Sequence, residues 1–275
     1  MLIKNRAVSS INEKYKFIST IDTGGTSKVY KVKRKKDNKI FVVKRICNTN
    51  EDTLNKENML NNENILNNEV AILKKIHHKS IVKYKEKIEW NIIMEYIDGI
   101  LLYDRIKKYR CQPEYVLSIA KQIIKALVYL KNVHIIHCDI KPENIICLND
   151  NRIKIIDFGF SVICKSGKYV GDILFGTVYY TSPEIINQRK PYTHLVDIWS
   201  LGVLIYCAFC GYLPFFSNDK KKICRKILKM DVIFPENDWN NIDLNAKIFI
   251  KAALQKKAIN RPSAKRLLKY AWLSK

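Results

Sequence analysis

Apolar and polar residues alternate along much of the N-terminal third of the chain, which is typical of half-buried β-strands. This alternation, with many β-branched side chains, predicts strands at Tyr15–Asp22, Lys28–Arg34 and Lys39–Ile46, the last two joined by a turn at Asp37-Asn38. Two shorter strands are predicted at Ile81–Ile88 and Asn91–Glu95. The N-terminal third therefore reads as a small antiparallel sheet.

One segment between these strands has a helical period instead. From Glu63 to His77 the apolar side chains recur at the spacing of one helix face. The preceding stretch, Asn48–Asn68, is rich in Asn and Glu, and we interpret it as a solvated insertion leading into that helix.

From Leu101 onward the pattern is mainly helical. Helices are predicted at Leu101–Tyr109, Pro113–Lys131, Pro183–Ile186, Val196–Gly211, Asp219–Leu228, Asn245–Leu254 and Ser263–Lys269, and strands at Ile145–Leu148 and Ile153–Ile156. This change of period indicates an α+β protein with two parts. We place a small β-rich part with one main helix at residues 1–96, where residues 1–14 form a tail, and a larger α-rich part at 97–275. We expect a hinge near Glu95–Gly99 and a ligand cleft between the two parts.

A cluster of polar residues between short apolar runs carries candidate chemistry. Asp139 can accept a hydroxyl proton, and Lys141 can neutralise charge on a group in transfer. Asn144 and Asp157 offer oxygen ligands that can hold Mg²⁺ against ATP phosphates. The spacing favours phosphoryl transfer, and the alternative is a coincidental polar turn between buried strands.

A second candidate site lies at the turn between the first two strands. Two glycines and small polar residues there let backbone N–H groups approach phosphates, although an ordinary hairpin is the alternative. The residues of this predicted phosphate loop are Ile21, Asp22, Thr23, Gly24, Gly25, Thr26, Ser27, Lys28 and Val29.

Together these segments resemble the catalytic domain of eukaryotic protein kinases, over about Tyr15 to Leu273. The chain is most similar to the calcium/calmodulin-dependent group, through Asp104-Arg105-Ile106, His137-Cys138-Asp139 and the end at Tyr270-Ala271-Trp272-Leu273. The protein kinase D family has a similar catalytic-loop Cys. The resemblance implies a bilobal kinase fold and transfer of the γ-phosphoryl group of ATP, with Mg²⁺ or Mn²⁺, to Ser/Thr hydroxyls of protein substrates.

The resemblance also implies particular roles for residues. Asp139 becomes the catalytic base, Lys141 and Thr177 join it in the catalytic set, and Asn144 and Asp157 bind metal. Lys44 contacts the phosphates and pairs with Glu69, although Glu63 lies on the same stretch. The remaining nucleotide contacts are adenine packing by Val29, Val42 and Ile146, backbone groups of Glu95 and Ile97, and Met94 at the back of the pocket.

Further expected contacts are structural. Glu184 pairs with Arg261, Asp197 holds the backbone of the catalytic loop, and Leu73, Tyr84, His137 and Phe158 stack as an internal spine. The phosphate loop departs from the family pattern, because the three expected glycine positions hold Asp22, Gly24 and Ser27.

Two departures bear on regulation. The residue before Asp139 is Cys138 where many kinases have an Arg that binds a phosphorylated activation loop, and Ile173 stands where that phosphate is expected. We therefore predict activity without activation-loop phosphorylation. Acidic residues that bind basic substrates in relatives correspond to Leu101, Glu143 and Cys207, so we expect acidic or neutral target sequences.

Two other functional classes compete with an active kinase. A pseudokinase scaffold fits the degenerate phosphate loop and Cys138, but the other catalytic residues are present. A basic nucleic-acid module fits the net charge of +23, which also makes acidic partners plausible. The basic residues are spread along the chain without an aromatic-interleaved block, so we expect no dedicated nucleic-acid site.

The sequence also bears on the presence of a signal peptide, a membrane span and a cysteine site. Met1–Ser10 lacks the pattern of a signal peptide, and the apolar run Ile198–Phe216 contains Pro and Gly, so we predict a buried helix there and no membrane span. We interpret Cys207 and Cys210 as small buried side chains, with a metal or redox site as the alternative. A cytoplasmic or nuclear monomer is expected.

Overall fold

The computed structural model describes residues 11–24, 27–46, 56–108, 110–171 and 178–274, with the backbone alone at 56–61. The chain divides into two compact units. The first contains the residues up to His77 together with Val82–Asp98, and the second contains His78–Ile81 and the residues from Gly99 onward.

The N-terminal unit is built on an antiparallel sheet of five strands in the order β1-β2-β3-β5-β4. The strands are β1 (Tyr15–Thr23), β2 (Ser27–Arg34), β3 (Ile40–Ile46), β4 (Tyr84–Ile88) and β5 (Asn91–Glu95). One side of the sheet buries Tyr15, Val32, Val43 and Ile93 together with Ile11 from a preceding helical turn. The alternation of apolar and polar residues in these strands thus corresponds to the buried and exposed sides of the sheet. Residue Ile81 lies outside β4 and forms an isolated parallel bridge to Ile155 in the C-terminal unit, so the strand predicted at Ile81–Ile88 is shorter at its start.

A long helix, α1 (Lys56–Lys75), accompanies the sheet. Leu66, Val70 and Leu73 are buried on one face of it. The helix begins seven residues before the predicted start at Glu63, so part of the expected insertion is helical. Helix elongation adds one hydrogen bond per residue after nucleation, and the apolar turns around Leu66 can therefore extend into a polar segment.

The C-terminal unit is mainly helical. Its helices are α2 (Leu102–Lys108), α3 (Pro113–Asn132), α4 (Pro183–Ile186), α5 (Leu195–Cys210), α6 (Lys220–Lys229), α7 (Glu236–Trp239), α8 (Leu244–Ala253) and α9 (Ala264–Leu267). Short 3-10 turns lie at Pro142–Asn144, Val178–Tyr180, Ala258–Asn260 and Ala271–Ser274. Two small sheets pair β6 (Ile100–Leu101) with β8 (Ile145–Cys147) and β9 (Ile153–Ile155), and β7 (Ile135–Ile136) with β10 (Val162–Ile163).

Helix α5 is the centre of this unit, with every residue from Val196 to Cys210 buried. It packs against α3 and α8. A side chain at Gly202 would lie 2.9 Å from Ala253 and Leu254, so glycine is what allows the close approach of α5 to the end of α8. Gly211 ends the helix in the left-handed conformation, with φ 83°.

Within the residues that the structure describes, no helix is both long and apolar enough to span a bilayer. Cys207 and Cys210 are buried on α5, as the sequence indicates. The described part of the chain contains no cluster of three or more His, Cys, Asp or Glu side chains arranged to hold a metal ion.

Candidate active site

In the N-terminal unit, Lys44 and Glu69 form a buried ion pair. The Lys44 Nζ atom donates to both carboxylate oxygens of Glu69, at 2.8 and 2.9 Å. Lys44 is 8% exposed and Glu69 is 1% exposed, whereas Glu63 is solvent-exposed. Of the two candidate partners on the helix, Glu69 is therefore the one that reaches Lys44.

The sheet brings several predicted nucleotide contacts to one of its faces. Strand register places Val29 opposite Lys44 and Val42 opposite Met94. Residues directly opposite in adjacent strands share a face, so these four side chains project to the same side.

The predicted phosphate loop lies at the β1–β2 turn. Ile21, Asp22 and Thr23 end β1 on the exposed surface, and Ser27, Lys28 and Val29 begin β2. The Asp22 carboxylate accepts the N–H of Thr23 at 2.8 Å. Gly24 donates its N–H to the Ser27 carbonyl at 2.9 Å. Gly25 and Thr26 lie outside the described residues.

The end of β5 carries the residues expected to read the adenine edge. The backbone N–H of Glu95 donates to the carbonyl of Lys83 at 3.0 Å, and its side chain accepts the N–H of Lys83 at 3.0 Å. Ile97 follows β5 and is partly buried. Ile146 is a partly buried residue of β8 in the other unit.

In the C-terminal unit, Asp139 is the acceptor at the centre of a small polar group. Its Oδ2 atom lies 2.8 Å from the Lys141 Nζ atom and accepts from the Asn144 side-chain amide at 2.8 Å. The same amide nitrogen donates to the Asp139 carbonyl at 2.9 Å. The Asn144 nitrogen is thereby turned towards Asp139, so its amide oxygen is the atom suited to bind a cation.

Asp197 on α5 holds the backbone just before this group. Its two carboxylate oxygens accept the N–H groups of His137 and Cys138, each at 2.9 Å. Burial raises the pKa of Asp197 to about 6, and the two N–H donors oppose this effect. Cys138 has φ 67°, a conformation that few non-glycine residues adopt.

The Asp157 segment contacts the same stretch of chain. Asp157 also has a positive φ, 62°, and its Oδ1 atom accepts the N–H of Gly159 at 3.1 Å. The rings of Phe158 and His137 are 4.6 Å apart, and both side chains are fully buried. Burial lowers the pKa of His137 and keeps the ring neutral. These two residues form the part of the predicted spine that lies within this unit.

The side chain of Cys138 lies in apolar surroundings. It packs against a cluster formed by Ile136, Cys164, Ile185, Tyr192 and Val196. Burial raises the pKa of its thiol well above the usual value, so the thiol is neutral.

Two further contacts order the segment that follows. Glu184 and Arg261 form the expected pair, with bonds of 2.8 and 3.1 Å and an Arg261 side chain that is fully buried. Thr177, the third predicted catalytic residue, lies outside the described residues.

The sequence did not single out two serines that support this region. Ser161 donates its hydroxyl to the His137 carbonyl at 3.0 Å, and Ser200 donates to the Tyr180 carbonyl at 2.8 Å. The partners are distant in sequence, 24 and 20 residues away, so no local pattern marks these hydroxyls.

The matching family model and the similar proteins are all protein kinases. Residues 15–273 match the protein kinase domain. The chain is 34% identical over 276 residues to a probable myosin light chain kinase of Dictyostelium discoideum, covering 94% of this chain and 83% of that protein. It is 36% identical over 214 residues to calcium-dependent protein kinase 5 of Plasmodium falciparum, covering 75% and 37%. It is 34% identical over 275 residues to calcium/calmodulin-dependent protein kinase type 1 of Caenorhabditis briggsae, covering 97% and 74%.

The chain therefore belongs to the protein kinase family. Its relatives place it among the serine/threonine kinases of the calcium/calmodulin-dependent group. This confirms the predicted kinase fold and the predicted enzyme class. Kinases of this family use ATP with Mg²⁺ and act on protein substrates.

Proposed function

We propose that this kinase transfers the γ-phosphoryl group of Mg-ATP to Ser/Thr hydroxyls of proteins, with Asp139 as the proton acceptor. The observation that carries the proposal is the convergence of Lys141 and Asn144 on one oxygen of Asp139. Among the described residues both of these bonds go to Oδ2, and we assign Oδ1 as the atom that accepts the substrate hydroxyl proton. Lys141 lies beside it as a positive charge for the phosphoryl group in transfer.

The metal would be held by Asn144 and Asp157. An amide oxygen and a carboxylate are hard oxygen donors, which Mg²⁺ prefers, and the bonds of the Asn144 nitrogen to Asp139 orient its oxygen for this use. When bound, Mg²⁺ neutralises phosphate charge. The two hydrogen bonds from the Asn144 side-chain amide to Asp139 hold Asn144 in place before any ligand binds.

Lys44 is proposed as the ligand of the nucleotide phosphates. Its ammonium group is held by both oxygens of Glu69, so it is positioned without losing its charge. Gly24 is proposed to approach a phosphate closely. Among the described residues, a side chain at Gly24 would meet the Ser27 carbonyl alone, at 3.6 Å. Packing against these residues does not require glycine, whereas close approach of a ligand would.

We also propose that activity does not depend on phosphorylation of the activation segment. Cys138 offers a neutral thiol among apolar side chains where an Arg would be needed to bind a phosphate. A phosphoryl group on that segment would find no charge-assisted partner at this position.

Two measurements test these proposals. Transfer from Mg-ATP to a degenerate Ser/Thr peptide library should occur, and Asp139→Asn and Asp157→Ala should each reduce its rate by at least about 10²-fold. ATP binding without transfer would favour the pseudokinase scaffold instead. Phosphatase treatment should leave the transfer rate unchanged, and a large loss of activity after treatment would refute independence from activation-segment phosphorylation.

A further inference from the structure

Helix α6 carries an unusual concentration of positive charge. Six of its ten residues are Lys or Arg, and none is acidic. Its apolar residues Ile223 and Ile227 are buried in the C-terminal unit. The exposed residues that form the outer face, which we name the basic face, are Lys220, Lys221, Lys222, Arg225 and Lys229.

The basic face is not neutralised by the described part of the chain. None of its five side chains forms an ion pair with a described carboxylate. Of the two acids that flank the helix, Asp219 caps the backbone N–H groups of Lys221 and Lys222, and Asp231 follows Met230 at the opposite end. The charge is therefore available to an external anion.

The arrangement works against the stability of the helix. Lys221 and Arg225, and again Arg225 and Lys229, are like charges four residues apart, where they repel each other. Lys220 and Lys221 lie in the first turn, at the positive end of the helix dipole. A bound polyanion would relieve both effects, which the favourable position of Lys226 and Lys229 in the last turn offsets only in part.

The position of α6 links it to the catalytic unit. It packs against the Val178–Tyr180 turn and against α4, in the segment between Asp157 and Arg261. The ring of Tyr179 stacks on Phe216 at 6.1 Å, and the Lys226 ammonium group donates to the Phe216 carbonyl at 2.6 Å. Asp139 and the basic face therefore belong to one compact unit, and one substrate protein could contact both.

We propose that the basic face of α6 docks an acidic segment of the protein substrate, separate from the Ser/Thr that receives the phosphate. This inference rests on the proposed kinase function and names its substrate class. Ten helical residues span about 15 Å, which suits a short acidic stretch. Burial of Ile223 and Ile227 prevents insertion of α6 into a membrane, and α6 has no aromatic side chain for stacking nucleic-acid bases.

The experiment uses one acceptor peptide from the library in three forms: unextended, extended through a Gly-Ser linker by a run of Glu, and extended by a run of Gln. Each extended form is made in two versions, with the extension at the N-terminus or at the C-terminus of the acceptor peptide. The Glu form should have a KM about tenfold below that of the Gln form, because several exposed charge pairs each contribute modestly. High salt should remove this advantage.

The test variant is Lys221→Glu/Lys222→Glu/Arg225→Glu. It should lose the advantage of the Glu form, keep its kcat/KM on the unextended peptide, and prefer a Lys-extended form. The matched control, Lys265→Glu/Arg266→Glu/Lys269→Glu, makes the same change in net charge and should retain the advantage. Equal losses in both variants, or no advantage in the wild type, would overturn the docking site.

Binding of a fluorescein-labelled oligo-Glu peptide, measured by anisotropy, separates this proposal from the kinase function. Without any phosphoryl transfer the kinase proposal fails, and this binding still reports on the basic face. Phosphatidylserine-containing vesicles and a single-stranded DNA oligonucleotide are tested alongside. If either binds more tightly than oligo-Glu and loses binding in the test variant, the assignment to an acidic protein segment is wrong.

Discussion

The carboxylate of Asp197 accepts the backbone N–H of Cys138 at 2.9 Å and thereby holds Cys138 at a positive φ of 67°. Cys138 directly precedes Asp139, so this bond fixes the backbone that carries the proposed base. A residue in the left-handed region persists only where its surroundings stabilise it. Asp197, 2% exposed, provides that stabilisation from the central helix of the unit.

Replacing Asp197 should therefore affect both folding and catalysis. In Asp197→Ala the buried N–H groups of His137 and Cys138 lose their acceptors, which should lower the free energy of unfolding by about 2–5 kcal/mol. Asp197→Asn keeps one acceptor oxygen, so its free energy of unfolding and its kcat should lie between those of Asp197→Ala and the wild type. Urea denaturation and measurement of kcat test this order. If Asp197→Asn lost as much stability and activity as Asp197→Ala, the expected order would be wrong.

Variants of the Lys44–Glu69 pair should affect the stability of the protein and its activity in different ways. Lys44→Met leaves the Glu69 carboxylate buried without its ammonium partner, which should reduce the free energy of unfolding by about 3–5 kcal/mol. The double variant Lys44→Met/Glu69→Leu should regain much of that stability but bind no ATP productively.

Thermal denaturation and ATP binding measure these two effects, with Lys75→Met on the exposed side of α1 as the control. If the double variant transferred phosphate normally, Lys44 would have no role in the reaction.

Asp139→Asn should reduce kcat by about 10²–10⁴ because the amide accepts the hydroxyl proton poorly. The fold should remain intact, since an amide oxygen can still accept from the Asn144 nitrogen. The exposed Asp150→Asn serves as the matched control and should leave kcat unchanged. Comparable rates for the two variants would exclude Asp139 as the base.

Introducing the missing arginine at position 138 should harm the protein. Cys138→Arg places a guanidinium group against Ile136, Tyr192 and their apolar neighbours, and should reduce the free energy of unfolding by about 2–4 kcal/mol. Cys138→Ala should be much milder. Chemical denaturation of both variants tests this, and an arginine variant as stable as the wild type would show that the surroundings can accept the charge.

His194 should make the protein less stable in mild acid. Burial, with a smaller effect of the Lys131 charge, lowers the pKa of His194 to about 4. The unfolded chain, with an ordinary His pKa near 6.5, binds more protons between these values, so stability rises with pH from about 4 to about 6.5.

The His194 contribution is up to about 3 kcal/mol before solvent screening of the partly exposed ring. Unfolding free energies of the wild type and His194→Gln should therefore differ in slope across this window. Parallel curves would show that His194 does not contribute.

Much of the fold follows from local pattern. The helix predicted at Pro113–Lys131 is α3, Pro113–Asn132, and the strand predicted at Lys28–Arg34 is β2, Ser27–Arg34. In both, a clear apolar period spans the whole element. The start of α1 was missed because its first turns are polar, and β6, β7 and β10 were missed because two-residue strands have no measurable period.

The sequence by itself determined the kinase family and the candidate chemistry, because Asp139, Lys141, Asn144 and Asp157 stand within short motifs of fixed spacing. The tertiary structure decided that Glu69, rather than Glu63, reaches Lys44, that Cys138 packs among apolar side chains, and that the basic face of α6 has no internal counter-ion among the described residues. Each of these depends on contacts between residues far apart in the chain, which local periodicity and spacing do not encode.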